Sequence, residues 1–125
     1  MIHSTYLQTM QATIDAKTIA STAIDTTETA RRFYPLFATF EVVSASAVIS
    51  VATLSIGTNA TTYNNILAAT AMTGLTSANA MMQSGTLLVV AGASIAPNTE
   101  IRVNVSVGYI ATTANLKVLL HGFYD

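Results

Sequence analysis

The chain has 125 residues, the size of one domain with a single core. Five basic and six acidic residues give a formal net charge of −1, so the charge balance does not predict binding to nucleic acid, which requires clustered basic residues. Cysteine is absent, which excludes a disulfide framework and a thiolate metal site.

Charged residues are few and unevenly placed along the chain. They make up 9% of it, against about 25% in ordinary soluble domains, and none lies between Val42 and Thr99. Because charge is depleted at the cores of protein interfaces, this middle segment predicts a surface that faces another protein. A surface hydrated by Thr, Ser and Asn side chains is the alternative interpretation.

The first thirty residues predict an extended N-terminal arm, and residues 31–125 predict the β-domain. Ile14, Ile19 and Ile24 recur too sparsely for a strong strand, although one strand is expected around residues 12–17. No basic segment followed by an apolar run opens the chain, so no signal peptide is predicted. No apolar run approaches the ~20 residues of a transmembrane helix.

Strand patterns begin at Phe33. Residues 33–43 alternate between two faces, and residues 48–56 and 86–91 are runs rich in β-branched or apolar residues. Residues 66–84 are ambiguous, because their composition would allow two helical turns. Short strands fit an all-β domain better, and we predict them there.

The clearest alternation lies in the C-terminal part of the chain. Residues 100–109 place aliphatic side chains at every second position, as in a half-buried antiparallel strand, and residues 116–124 form the last predicted strand. Aromatic pairs at the two ends of the strand set, Phe33-Tyr34 and Phe123-Tyr124, are expected to lie on neighbouring strands. Seven or eight strands at this spacing predict an all-β antiparallel sandwich.

No constellation of residues predicts catalysis. His121 has no acidic neighbour in the sequence and His3 lies in the predicted arm, so neither suits a nucleophilic triad. Glu41 and Glu100 lie on strong strands, where each alternates with apolar neighbours as a solvated residue does. We therefore expect no catalytic residue, no cofactor site and no metal site, and we predict that the chain is not an enzyme.

The residues that could contact a partner are scattered along the sequence. The basic pair before the first strong strand is expected to anchor the arm to a carboxylate, and the two adjacent methionines suit either an adaptable contact or core packing. The candidate interface residues are Arg31, Arg32, Phe33, Tyr34, Tyr63, Met81 and Met82.

Four parts of the sequence carry a family resemblance: residues 31–40, 55–67, 94–105 and 118–124. Together they resemble small β-sandwich virion proteins of tailed bacteriophages, which decorate or cement capsids or build short head fibres. The resemblance implies a jelly-roll-like sandwich and a homotrimer seated on a lattice of major capsid protein. It also implies a place on the capsid surface of the virion, reached from the host cytoplasm, and supplies no catalytic residues.

Two functional hypotheses follow from the sequence. The first is a capsid decoration or cement protein, with no nucleic acid or membrane as partner. The alternative is a receptor- or carbohydrate-binding adhesin or fibre module, in which Tyr63, Asn64, Asn65 and Tyr109 would contact a sugar.

Overall fold

The computed structural model describes residues 7–84 and 94–125. The described residues form β-strands and no helix, and so none that could cross a membrane. The strands are β1 (Gln8–Asp15), β2 (Ser21–Thr26), β3 (Phe33–Ser46), β4 (Thr53–Gly57), β5 (Leu67–Ala71), β6 (Met81–Ser84), β7 (Glu100–Val107) and β8 (Thr113–Tyr124).

The eight strands form two antiparallel sheets of four strands each. The first sheet has the order β1-β8-β3-β6 and the second has the order β2-β7-β4-β5. The first four strands therefore pair with the last four in reverse order: β1 pairs with β8, β2 with β7, β3 with β6 and β4 with β5. This nested strand order defines a jelly roll and confirms the prediction of an all-β antiparallel sandwich.

The centre of the first sheet is the long pair formed by β3 and β8. Their register runs from Phe33 opposite Tyr124 to Ser46 opposite Thr113, with a bulge near each end of β3. At one end of this pair the Phe33 and Tyr124 rings meet edge to face, with centroids 5.2 Å apart. Tyr34 and Phe123 stack beside them at the same centroid distance. The predicted aromatic pairing between neighbouring strands is confirmed.

The core lies between the sheets and is built mainly from alternate residues of the strands, with Ile66 and Met72 added from the two sides of β5. Side chains at the alternate positions point inward because successive residues of a strand face opposite sides of the sheet. The largest fully buried side chains are Phe33, Phe40, Val42, Leu54, Ile56, Ile66, Met72, Ile101, Val103, Leu116, Val118 and Leu120.

The N-terminal segment differs from the predicted arm. Residues 8–15 pair along their whole length with β8, and residues 21–26 pair with β7, so each forms the edge strand of a sheet. Met10, Ile14 and Ile24 are the buried positions of these strands. Their spacing is sparse because an edge strand with one solvated face needs few apolar residues. Over residues 8–26 two edge strands thus take the place of the expected arm, and β1 overlaps the one strand expected around residues 12–17.

In three other segments the predicted strands can be compared with the observed ones. β4 begins at Thr53 instead of Val48, because Ala47 turns the chain with a φ of 49° and Ser50 makes an isolated bridge to Ile110. Residues 66–84 contain the two short strands β5 and β6, as predicted. The strand predicted at residues 86–91 lies outside the described residues.

The connections between strands gather at the two ends of the sandwich. We call one end the loop pole; it contains residues 16–20, 47–52, 72–80 and 108–112, which connect successive strands of the two sheets. We call the other end the terminal pole; it contains residues 27–32, 58–66 and 94–99. Leu7 and Asp125 also lie at the terminal pole, since Gln8 pairs with Gly122 and Asp125 pairs with Arg32.

The two faces of β8 permit a matched test of the fold. Leu116 is fully buried, whereas Leu119 lies on the outer face of the same strand. We expect Leu116→Ala to lower the free energy of unfolding by about 2–5 kcal/mol, because it removes buried methyl groups and leaves a cavity. Leu119→Ala should cause a clearly smaller loss in urea denaturation. Equal losses from the two substitutions would contradict the assigned register.

Candidate functional site: surfaces available to partners

A cluster of charged and aromatic side chains marks the terminal pole. The Arg31 guanidinium donates two hydrogen bonds to the Glu28 carboxylate, at 2.6 and 3.0 Å, and its carbon lies 5.4 Å from the centre of the Tyr124 ring. The hydroxyl of Tyr124 accepts a hydrogen bond from the Glu28 backbone N–H at 3.1 Å. The bond from Arg31 lowers the pKa of Glu28. Arg31 thus pairs with a carboxylate three residues earlier in its own loop, which is a local contact and does not anchor a separate arm.

Arg32 lies beside this cluster and points in a different direction. Its Nη2 donates to the backbone oxygen of Ser94 at 3.1 Å, and its Nε donates to the Ser94 hydroxyl. A cleft of about 400 Å³ opens next to it. The cleft is lined by Arg32, Thr58, Asn65, Ile66, Ser94, Ile95, Ala96 and Thr99.

Tyr63 lies in the loop of residues 58–66 and covers part of the outer face of the second sheet. The loop that carries it folds back over β4, where the Ser55 hydroxyl donates to the backbone oxygen of Thr62 at 3.2 Å. The ring of Tyr63 lies under the Arg102 guanidinium, 5.7 Å from its carbon. A side chain at Gly57 would fall 2.5 Å from the Tyr63 carbonyl carbon, so this close approach needs glycine.

Three of the side chains proposed for sugar binding, those of Asn64, Asn65 and Tyr109, form hydrogen bonds within the protein. The Asn59 side-chain oxygen accepts hydrogen bonds from the backbone N–H groups of Asn64 and Asn65, at 2.9 and 3.2 Å, and so holds this loop closed. Tyr109 is only 4% exposed and donates its hydroxyl to the backbone oxygen of Leu75 at 2.8 Å. Burial raises the pKa of Tyr109 to about 12. Tyr109 therefore has no ring face open to a ligand.

Phe33 and the two methionines occupy three different environments. Phe33 has no exposed surface, so its assignment as an interface residue is corrected: its ring belongs to the core. Met82 is partly buried and packs against the core, while Met81 is 62% exposed on the edge strand β6. The two predicted roles for methionine are thus divided between neighbours that face opposite sides of one strand.

His121 occupies the outer face of the first sheet. Its Nδ1 lies 3.0 Å from the Thr9 hydroxyl, its Nε2 lies 3.1 Å from the Thr39 hydroxyl, and its ring stacks on Phe37 with centroids 4.4 Å apart. Both ring nitrogens therefore have hydroxyl partners from the strands on either side. Partial burial lowers the pKa of His121. The residue ties three strands together and has no carboxylate among these contacts.

A set of exposed aliphatic side chains lies at the loop pole. Ile49 is 82% exposed, Ile19 70%, Ile110 58% and Val107 54%. They account for half of the large apolar side chains that the described residues expose. Their exposure does not follow from the sequence pattern, because Ile49 falls in a run that predicts a strand interior. The feature that exposes Ile49 is the turn at Ala47, which brings Ile49 out of the sheet.

The candidate interface residues therefore do not form one site. Arg31, Arg32 and Tyr34 lie at the terminal pole, Tyr63 lies on the outer face of the second sheet, and Met81 lies at an edge of the first. Among residues 7–84 and 94–125, no three His, Asp or Glu side chains gather as ligands for a metal ion. The arrangement offers separate surfaces for contact and no assembled reaction centre in the described residues.

Two of the solved structures that are similar to this chain are phage capsids. One belongs to the capsid asymmetric unit of cyanophage Pam1, with a TM-score of 0.58, 15% identity, and 96% of this chain and 84% of that chain covered. The other belongs to the capsid of Ralstonia phage GP4, with a TM-score of 0.62, 14% identity, and 95% and 83% covered. No protein-family model and no curated protein matches the sequence. At these identities the likeness shows a shared fold.

The partly buried position of His121 on the first sheet predicts a pH-dependent stability. A folded-state pKa below the unfolded one means that the unfolded chain binds the proton more tightly, so stability is lost as the pH falls through about 6.5. We expect the free energy of unfolding to fall less between about pH 7 and 5 in His121→Gln than in the wild type. Urea denaturation across this range measures the difference, and parallel profiles would refute it.

Proposed function

We propose that the chain is a non-enzymatic virion structural protein that decorates or cements a phage capsid by binding, as a homo-oligomer, to the lattice of the major capsid protein. The observation that carries this proposal is the extent of the structural likeness. The jelly roll overlaps with two phage capsid chains over 95–96% of its own length and 83–84% of theirs. The sequence resemblance to virion proteins of tailed phages supports the same class.

The surfaces of the molecule suit a protein that acts by contact. Charged residues make up 9% of the chain, and aliphatic side chains are exposed at the loop pole and on the first sheet. Exposed apolar patches of this kind mark protein interfaces, and permanent interfaces are the more hydrophobic ones. A protein that holds a shell together needs such lasting contacts and no turnover.

A homotrimer is the form that we propose for the bound protein. Each copy in a symmetric oligomer binds its own site on the lattice, so later contacts form at high effective concentration and add avidity. Modest contact areas per copy then suffice for stable decoration. The bound protein is accordingly placed on the capsid surface of the virion.

Binding to shells tests this function directly. We expect the purified chain to co-sediment with shells of the phage that encodes it and to raise their melting temperature in calorimetry, because it binds the assembled shell in preference to free subunits. An unrelated jelly-roll protein of similar size serves as the control. Shells whose melting temperature and sediment composition stay unchanged after addition of the chain would disprove the proposed role.

A further inference from the structure

Four strands form the edges of the two sheets: β1 and β6 in the first, and β2 and β5 in the second. An edge strand leaves a row of backbone N–H and C=O groups unpaired, and proteins commonly block it with a bulge, a charge or a short strand. β2 has a bulge between Ala23 and Asp25, the pairing of β5 is irregular opposite Leu54 to Ile56, and β6 is four residues long. These three edges are therefore poor templates for a further strand.

β1 has none of these features over most of its length. Its eight residues pair with β8 in unbroken register, from Gln8 opposite Gly122 to Asp15 opposite Asn115. It contains no proline and no basic residue, and its single charge, Asp15, is its last residue. The Asp15 carboxylate accepts a hydrogen bond from the Lys17 backbone N–H at 3.0 Å, which directs it into the turn after the strand. The edge of β1 is thus long, regular and uncharged along the rest of its length.

The backbone groups that point away from β8 follow from the register. The Ala16 N–H donates to the Ala114 oxygen at 2.9 Å, directly after the last paired residues of the ladder. Because an antiparallel ladder bonds every second residue, the N–H and C=O groups of Thr9, Gln11 and Thr13 face the open edge. Within the part of the chain that the structure describes, β1 pairs with β8 alone. A row of donors and acceptors about 14 Å long is therefore available to a partner.

The side chains beside these groups suit a neighbouring strand. Those of Thr9, Gln11 and Thr13 lie on the outer face of the first sheet, opposite the buried row of the same strand. All three are uncharged, and β-branched threonine packs well against cross-strand neighbours. The Thr9 hydroxyl lies 3.0 Å from His121 Nδ1, which holds its side chain in place on the sheet. An added strand would therefore meet polar side chains that are compatible with β-structure.

We propose that β1 accepts an extended segment of the capsid subunit as a fifth strand of the first sheet. The proposal rests on the shell binding proposed above and names the surface that makes it. Unpaired backbone groups at the spacing of a β-strand are matched by another extended backbone, and this mode of recognition requires main-chain groups from the partner. A segment of about five extended residues covers the row from Thr9 to Thr13.

The charges beside β1 favour a different protein over a second copy of this chain. β2 lies against β1 and runs in the opposite direction, so Asp15 marks the loop-pole end of this side and Asp25 the terminal-pole end. The Lys17 ammonium donates to the backbone oxygen of Thr112 at 3.0 Å, on the β8 side of the strand. Two copies of β1 paired in parallel would set their Asp15 residues side by side, and antiparallel pairing would turn each Asp15 toward the Asp25 end of the other copy. Like charges at a contact are unfavourable, and a capsid segment avoids them.

Residue-resolved amide hydrogen exchange of the wild type tests the proposal. We expect the N–H groups of Thr9, Gln11 and Thr13 to exchange rapidly in the free chain and at least about tenfold more slowly on shells of the phage that encodes it. The amides of Met10 and Ala12, which already bond to β8, are the control within the same strand and should change less. Unchanged exchange of the three groups on decorated shells would overturn the proposal. Slow exchange in the purified chain would do so too, because a second copy would then cover the edge.

Proline at position 11 tests the same edge by binding. Gln11→Pro removes an outward N–H and leaves the bonds of the neighbouring residues to β8 in place. We expect its affinity for shells to fall about tenfold or more, because one backbone oxygen of the added strand loses its donor. The matched control is Gln11→Ala, which keeps the N–H and should bind as the wild type does. Normal shell binding by a Gln11→Pro variant with a wild-type urea midpoint would contradict the proposal, as would an equal loss in Gln11→Ala.

The two experiments separate this inference from the proposed function. A chain that never co-sediments with shells removes the decoration role and, with it, the capsid segment as the occupant of the edge. A chain that co-sediments with shells while its β1 amides stay unprotected keeps the decoration role and removes the fifth strand. The exchange experiment uses the wild type, so it remains decisive even where Gln11→Pro does not fold.

Discussion

The antiparallel pairing of β3 with β8 is the interaction on which the rest of the structure depends. These are the two longest strands, and they bring Phe33 opposite Tyr124 at one end and Ser46 opposite Thr113 at the other. The alternation along both strands aims one row of side chains at the second sheet and one row outward. Because β1 and β6 pair on either side of them, this register fixes which residues the first sheet exposes.

The same register separates the two poles. The loop that carries Arg31 meets the end of β8 at the terminal pole, where Arg31 bonds to the Glu28 carboxylate and the Tyr124 hydroxyl accepts a bond from the Glu28 backbone. Loops that carry Ile49 and Ile110 meet at the loop pole, where aliphatic side chains face outward. A jelly roll is thus a scaffold that presents two chemically different ends, and a protein that joins subunits can use each end for a different neighbour.

Strands could be predicted from the sequence where apolar and polar residues alternate. The sequence does not predict which side chains become exposed because the chain turns. β7 and β8 could be predicted because their aliphatic residues recur at every second position, which only a half-buried strand requires. β1 was predicted only as a short strand around residues 12–17 and β2 was missed, because edge strands with one solvated face carry few apolar residues, here Met10, Ile14 and Ile24. The loop pole was missed for a different reason: a local pattern does not reveal that Ile49 leaves the sheet at Ala47.

The central proposal is that this jelly roll acts by binding an assembled phage shell. Cryo-electron microscopy of shells of the phage that encodes it, after addition of the purified chain, tests this most directly. The account predicts added density on the shell surface into which the two four-stranded sheets fit. Shells without added density would contradict the account.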